Sequence, residues 1–217
     1  VTIMSVIEVN KLTPLASNGT ITLGDSGDTF SIPSGVTLSN AGTATGFSDM
    51  VLLSTVDAGT GTSAVVFNSS VVTSTYKHFY LICHKNTVTT SEATVKLYFS
   101  HDNGSSFTGT TRKTHIWQQL TGGGTGKENA NATGFVQLGS AHSSAANVGG
   151  GGNIFLNSLG YTGYKYINFV YTHMAVGDPY TYNGSFELQN TAVINYLKLV
   201  PSTGNIKGIY SLYGVKN

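Results

Sequence analysis

Alternation with a period of two constrains this chain more than any other feature. Residues 76–84 set Lys77, Phe79, Leu81 and Cys83 against Tyr76, His78, Tyr80 and Ile82. Residues 164–176 set Ile167, Phe169 and Tyr171 against Tyr166 and Val170. Successive side chains of a strand point to opposite faces, so such segments form strands with one buried face. No long stretch carries apolar residues at i, i+3, i+4 and i+7, the signature of an amphipathic helix. Further strands are predicted at 93–100, 192–200 and 205–215, and shorter ones at 50–56, 64–68, 113–120 and 134–138. Turn signals at Asp102-Asn103-Gly104, Asn183-Gly184 and Pro201-Ser202-Thr203-Gly204 separate them. Many strands of this length with such turns predict an all-β fold, an antiparallel β-sandwich of jelly-roll type.

The first 46 residues differ. Short β pieces are broken by small-residue corners at Ser26-Gly27, Ser34-Gly35 and Ala41-Gly42. Pieces this short cannot close a core alone, so the apolar positions Ile21, Leu23, Phe30, Ile32, Val36 and Leu38 predict packing between copies, as in a trimeric β shaft wound about one axis. The alternative is an arm draped on the rest of the chain. The expected division is a shaft or attachment segment at 1–48 and a sandwich head at 49–217. Two glycine-rich stretches, 121–126 and 149–152, are expected to be loops, either mobile until something binds or plain connectors.

Charged residues make up only 10% of the chain and the formal net charge is +1, with Lys and Arg scattered singly. That is too sparse for the basic face that nucleic-acid binding requires. It also gives weak long-range steering, so any binding is expected to rely on stacking and hydrogen bonds rather than on charge. No apolar run reaches the roughly 20 residues of a membrane-spanning helix, and the first ten residues lack the pattern of a signal peptide. Cys83 is the single cysteine, which excludes an intrachain disulfide and fits assembly in a reducing cytosol. Alternation places it on the core face beside Phe79 and Leu81, where it is expected to be inert.

Catalytic motifs are superficial. Gly24-Asp25-Ser26-Gly27-Asp28 resembles a serine-protease nucleophile segment, but no histidine precedes His78 and no triad context surrounds it. In Gly122–Glu128, Thr121 and Glu128 stand where a phosphate loop needs glycine and a hydroxyl. The six histidines (His78, His84, His101, His115, His142 and His173) lack zinc-site spacing, and His78 and His84 are roughly 20 Å apart along one strand. A histidine per chain on a trimer axis is the remaining route to a metal. Asp102, Asp178 and Glu187 form no recognisable carboxylate pair. No catalytic residue, metal or cofactor is therefore expected. Aromatic residues in or beside predicted loops, chiefly Trp117, Tyr161 and Tyr180 together with Tyr164 and Tyr182, are candidate glycan-stacking residues. The competing expectation is that they fill the core or an interface between copies.

Residues 4–47, MSVIEVNKLTPLASNGTITLGDSGDTFSIPSGVTLSNAGTATGF, resemble the opening of fibre-like structural proteins of marine and cyanobacterial tailed phages. Tyr76–Leu81, Leu97–Phe107 and Ile194–Val215 more loosely resemble the C-terminal module of such proteins. The resemblance implies a non-enzymatic virion protein, assembled in the host cytoplasm and carried on the tail or capsid surface. Joined to the trimer expected from the N-terminal apolar positions and the host cell-surface glycan contact expected from the aromatic residues, this gives a homotrimeric tail fibre for host attachment, held to other virion proteins through its N-terminal segment. A capsid-attached head fibre or decoration protein, and a small polysaccharide depolymerase, are the alternatives.

Overall fold

The computed structural model of the chain describes residues 50–107, 109–119, 125–145, 149–175 and 178–215, with isolated positions between 22 and 35. The six apolar residues expected to pack a trimeric shaft, Ile21, Leu23, Phe30, Ile32, Val36 and Leu38, lie outside the described residues. The chain divides into units Val1–Thr45 and Gly46–Asn217.

The second unit is all-β. Among its described residues twelve strands run in chain order: β1 (Met50–Asp57), β2 (Val65–Phe67), β3 (His78–Val88), β4 (Ala93–Ser100), β5 (Thr110–Gln119), β6 (Thr125–Thr133), β7 (Phe135–His142), β8 (Gly150–Asn157), β9 (Lys165–Met174), β10 (Pro179–Gln189), β11 (Tyr196–Pro201) and β12 (Ile206–Val215). They form an eight-stranded sheet in the order β1-β12-β3-β8-β9-β10-β5-β6 and a four-stranded sheet in the order β2-β11-β4-β7. Every pairing is antiparallel.

The order of connection identifies the sandwich. The chain steps from one sheet to the other through β1, β2, β3, β4, then β7, β8, then β11, β12. Those eight strands make two four-stranded layers, β1-β12-β3-β8 and β2-β11-β4-β7. This is the jelly-roll arrangement. Two hairpin insertions, β5-β6 and β9-β10, widen the first layer alone, which explains the eight-to-four imbalance.

Alternation drives the packing. Phe79, Leu81 and Cys83 of β3, Ile154 and Leu156 of β8, and Tyr210 and Leu212 of β12 are buried from the large sheet. Phe67, Val95, Leu97, Phe99, Leu138, Leu197 and Leu199 meet them from the small one. Each such side chain contributes about 1.5–3 kcal/mol by leaving water. Cys83 lies on the core face beside Phe79 and Leu81 as its alternation predicts.

Two expectations need correction. Asn183-Gly184 is not a turn. It lies inside β10, with Asn183 paired to Ile116 and Val170 and Gly184 paired to His115 and Phe169. On the inner face beside it, Phe169 and Phe186 stack at 5.0 Å between ring centroids. Likewise Gly150–Gly152 are not a loop but the first residues of β8. A Cβ on Gly152 would sit 2.7 Å from Tyr171 Cα and closer still to the Val170 carbonyl, and one on Gly151 would sit 2.6 Å from the Cys83 carbonyl. Glycine is required there because β8 passes backbone to backbone between β3 and β9.

Candidate functional site

Two surfaces and one buried cluster bear on function. The first is a cleft of about 640 Å³ whose walls include Asp57, Lys85, Thr87, Ser144, Lys207 and Gly208. Its floor is a β-bulge. The β3 ladder skips between Cys83 and Asn86 on the β8 side, and the β12 ladder skips between Lys207 and Ile209. Lys85 adopts a left-handed φ of 49°, and Gly208 across from it has φ 129°. A Cβ on Gly208 would lie 2.6 Å from the His84 carbonyl, so this position admits only glycine. Bulges re-aim side chains and break pairing, and they concentrate beside binding sites. Here the bulge leaves Lys85 exposed beside half-buried Lys207. The polar walls are fixed. Thr87 Oγ1 donates to the Ser143 carbonyl at 2.7 Å, Asp57 Oδ1 accepts the Gly59 N–H at 2.9 Å, and the Ser91 and Ser144 hydroxyls are 2.7 Å apart.

The location of this cleft is informative. The chain enters the sandwich at Met50 and leaves it at Val215, and these two residues pair directly. Asp57 lies at the other end of β1, roughly 23 Å away at the usual rise per residue. The cleft therefore occupies the end of the sandwich opposite both termini of the described head.

Directly inward of the cleft wall is the buried cluster. Asn86, between Lys85 and Thr87, is buried and its Nδ2 donates to the Tyr171 hydroxyl. The Tyr171 hydroxyl lies 3.4 Å from His142 Nε2, and His142 Nδ1 lies 3.1 Å from the Ala93 carbonyl. A carbonyl only accepts, so Nδ1 carries the proton and Nε2 is left to accept from Tyr171. His142 stacks on His173. Desolvation in the interior, with help from the neighbouring His173, lowers the pKa of His142 to about 3, against the opposing hydrogen bond to Ala93. His142 is neutral at ordinary pH. Among the described residues the Asn86 Oδ1 atom has no hydrogen-bond partner.

The second surface is the outer face of the large sheet. Leu52, Tyr213, Tyr80 and Phe155 form one register row across β1, β12, β3 and β8. Met50, Val215 and His78 form the next, and Ile82, Asn153 and Val170 another. Leu52 is 53% exposed and Val170 51%. None of these residues is Asp, Glu, Lys or Arg. Loose groups of apolar residues are ordinary on a protein surface, but a contiguous uncharged face of this kind marks an interaction surface.

The candidate glycan-stacking residues do not form one site. Tyr161 follows β8 at the end of the head where the chain enters. It is 39% exposed, with its ring 5.9 Å from that of His78 and Lys77 Nζ 5.2 Å from its centroid. Its carbonyl accepts from the buried Lys165 Nζ at 2.6 Å, and Gly163 supplies a second carbonyl to the same ammonium. Desolvation lowers the pKa of Lys165. Tyr180 opens β10 at the cleft end and stacks on His173, with centroids 5.9 Å apart. Trp117 is in a strand, β5, paired with Tyr182 and Gly126, so it belongs to the same end as Tyr180. Tyr161 and Tyr180 are separated by the length of β9. Tyr182 is a core residue, 5% exposed, while Tyr164 is exposed.

Of the carboxylates, Asp102 is a turn staple. It accepts the Ser100 and Ser106 hydroxyls at 2.5 and 2.6 Å and the Ser106 N–H at 2.8 Å, while Asn103 and Gly104 take left-handed φ values. Those hydrogen bonds hold its carboxyl far below the usual range. Asp178 accepts from Gln119 Nε2 at 2.6 Å, and Glu187 from Gln189 Nε2 at 2.7 Å. Among the described residues no three His, Cys, Asp or Glu side chains gather as metal ligands, and no helix is long and apolar enough to cross a membrane. Sequence reasoning did not find the cleft, because Lys85 and Lys207 are 122 residues apart in the chain and only the β3–β12 pairing joins them. No protein-family model matches the chain, and no curated protein or solved structure matches it either.

Proposed function

We propose that this chain is a non-catalytic surface fibre protein of a tailed-phage virion, working as a homotrimer whose jelly-roll head contacts a host cell-surface glycan. The single observation that carries the reading is the polarity of the head. Its termini pair at one end, through Met50 and Val215, and an open cleft whose walls include Asp57, Lys85, Thr87, Ser144 and Lys207 lies at the other. A head tethered to a particle through its N-terminal segment presents that far end outward. The resemblance of residues 4–47 to phage fibre proteins supports the tether, and the jelly-roll topology is one that capsid proteins and lectins share.

The charge-free rows that β1, β12, β3, β8 and β9 present on the outer face of the large sheet support assembly from identical copies. Met50, where the chain enters the head, lies on this face. Three N-terminal segments gathered about one axis would bring three such faces toward it. A face without formal charge meets its own copy without like-charge repulsion, which would cost several kcal/mol.

The test is localisation. Antibody raised against the full chain is expected to decorate intact virions at a tail or capsid appendage and to slow their adsorption to host cells. Virions left unlabelled would sink the reading. Labelled virions whose adsorption is unchanged would reduce it to decoration alone.

A further inference from the structure

We infer that the bulge-floored cleft binds an anionic saccharide, a hydroxylated sugar ring carrying one oxyanion. The inference rests on reading the head as glycan-binding, and it assigns the chemistry of the ligand.

Four observations converge. The cleft volume of about 640 Å³ falls within the range of small-ligand sites, roughly 300–1,000 Å³. Two of its walls carry ammonium groups, Lys85 and Lys207, on neighbouring strands. The remaining polar walls, Thr87, Ser144 and Asp57, suit ring hydroxyls as acceptors: the Thr87 oxygen keeps its lone pairs while its proton goes to the Ser143 carbonyl, and the Ser144 oxygen and the Asp57 carboxylate accept as well. Finally, the site is built into the backbone rather than draped over it. Lys85 is held in a left-handed conformation that most side chains avoid, and Gly208 opposite it is enforced by the His84 carbonyl. Strain of this kind persists only where the surroundings over-determine it, and it collects at binding sites.

The charge pattern selects the ligand. Two lysines and one aspartate leave the cleft locally positive within a chain whose formal net charge is only +1. A neutral sugar leaves the cleft with one positive charge more than Asp57 offsets. An oxyanion at about 4 Å from each gains on the order of 1 kcal/mol per lysine even in a water-like medium. Lysine presents a compact point charge, which suits carboxylate and phosphate alike.

The experiment titrates the full-length chain at low ionic strength with glucuronate, glucose 6-phosphate, glucose and inorganic phosphate, followed by saturation-transfer NMR and calorimetry. Two variants remove the cleft charges. Lys85→Asn is chosen because asparagine tolerates a left-handed φ, and Lys207→Gln because it keeps the stem. Lys96→Gln, whose ammonium lies over the Phe135 ring at 4.5 Å on the small sheet, is the control. At least one anionic sugar is expected to bind about tenfold more tightly than glucose, with affinity falling as salt rises. Each cleft variant is expected to lose that advantage at unchanged melting temperature, and Lys96→Gln to keep it. The stronger of glucuronate and glucose 6-phosphate tells whether the oxyanion is carboxylate or phosphate.

Equal affinity for glucose, or inorganic phosphate binding as tightly as either sugar, would overturn the inference. Anionic-sugar binding that survives in both charge variants would overturn it too, because the site would then lie elsewhere. Adsorption of the labelled chain to host cells is read separately. Adsorption that persists without anionic-sugar binding overturns the cleft while the attachment reading stands. Anionic-sugar binding without adsorption supports the cleft while the attachment reading falls.

Discussion

His142 and His173 lie ring on ring inside the sandwich, with centroids 4.0 Å apart and planes 18° apart. Both are buried, and Gly139 makes room for them, since a Cβ there would come within 2.9 Å of His173 and 3.1 Å of His142. A proton on His142 would place a charge in the interior against the face of the His173 ring.

The pH dependence originates in His142. Its folded pKa is about 3, below the 6.5 of the free side chain. Between those values the unfolded chain holds more protons than the folded one, so stability rises with pH across that interval. The contribution is fully present above about pH 6.5 and is lost as pH falls toward 3. Its size is on the order of a few kcal/mol. Denaturant melts at pH 7.5 and pH 4.5 should therefore show a lower midpoint in acid. His142→Gln, which cannot charge, should flatten the difference while lowering stability at neutral pH. A midpoint that does not fall between the two pH values would contradict the account.

The second prediction concerns the crossing of β8 over β9. Gly152→Ala places a methyl group against the Val170 carbonyl and 2.7 Å from Tyr171 Cα, where only backbone movement relieves the clash. The expected loss is about 2–4 kcal/mol, in the upper range for a single substitution. Gly163→Ala meets nothing within 4 Å, although its φ of 120° makes it a strained control. Thermal melts of both variants check the order, with Gly152→Ala the less stable.

Much of this architecture is legible in the sequence. The alternation of Phe79, Leu81 and Cys83, and of Ile167, Phe169 and Tyr171, places strands β3 and β9 and their buried faces directly. Strand β8 is hidden because its first three residues are glycines, which read as a loop when only one strand is in view. They become necessary once Cys83, Val170 and Tyr171 crowd them from both sides. Strand β10 is hidden by Asn183-Gly184, a turn signal overridden by pairing on both flanks. The cleft is illegible for a different reason. Nothing local marks Lys85 as left-handed or as a neighbour of Lys207, since the bulge that joins them is a property of the β3–β12 pairing. The buried ammonium of Lys165 is equally hidden, because its partners are carbonyls rather than a carboxylate.

Cys83 supplies the third prediction. It is 2% exposed, and burial pushes its thiol pKa up to about 12. The reactive thiolate is therefore nearly absent at neutral pH. An aromatic disulfide reagent in excess should label the native chain only as fast as the sandwich opens, and at once in denaturant. Cys83→Ala should cost about 1–2 kcal/mol through the lost contact volume. Rapid native labelling would mean that the β3 core face opens far more readily than its packing indicates.

The last prediction tests assembly through the outer face of the large sheet. The full chain is expected to sediment as a trimer at micromolar concentration. Leu52, more than half exposed in one head, can be changed to lysine with little cost to that head, because its side chain already faces solvent there. In a trimer joined through this face three such lysines would approach one another, and like charges so placed cost several kcal/mol. Leu52→Lys should therefore shift dissociation to at least tenfold higher protein concentration, while leaving the melting of the dissociated head close to that of the parent. Val66→Lys is the matched control. Val66 is also an exposed apolar strand residue, 37% accessible, but it belongs to β2 of the small sheet, away from this face. A parent chain that sediments as a monomer removes the assembly altogether. A trimer weakened equally by both substitutions moves the contact off the large sheet.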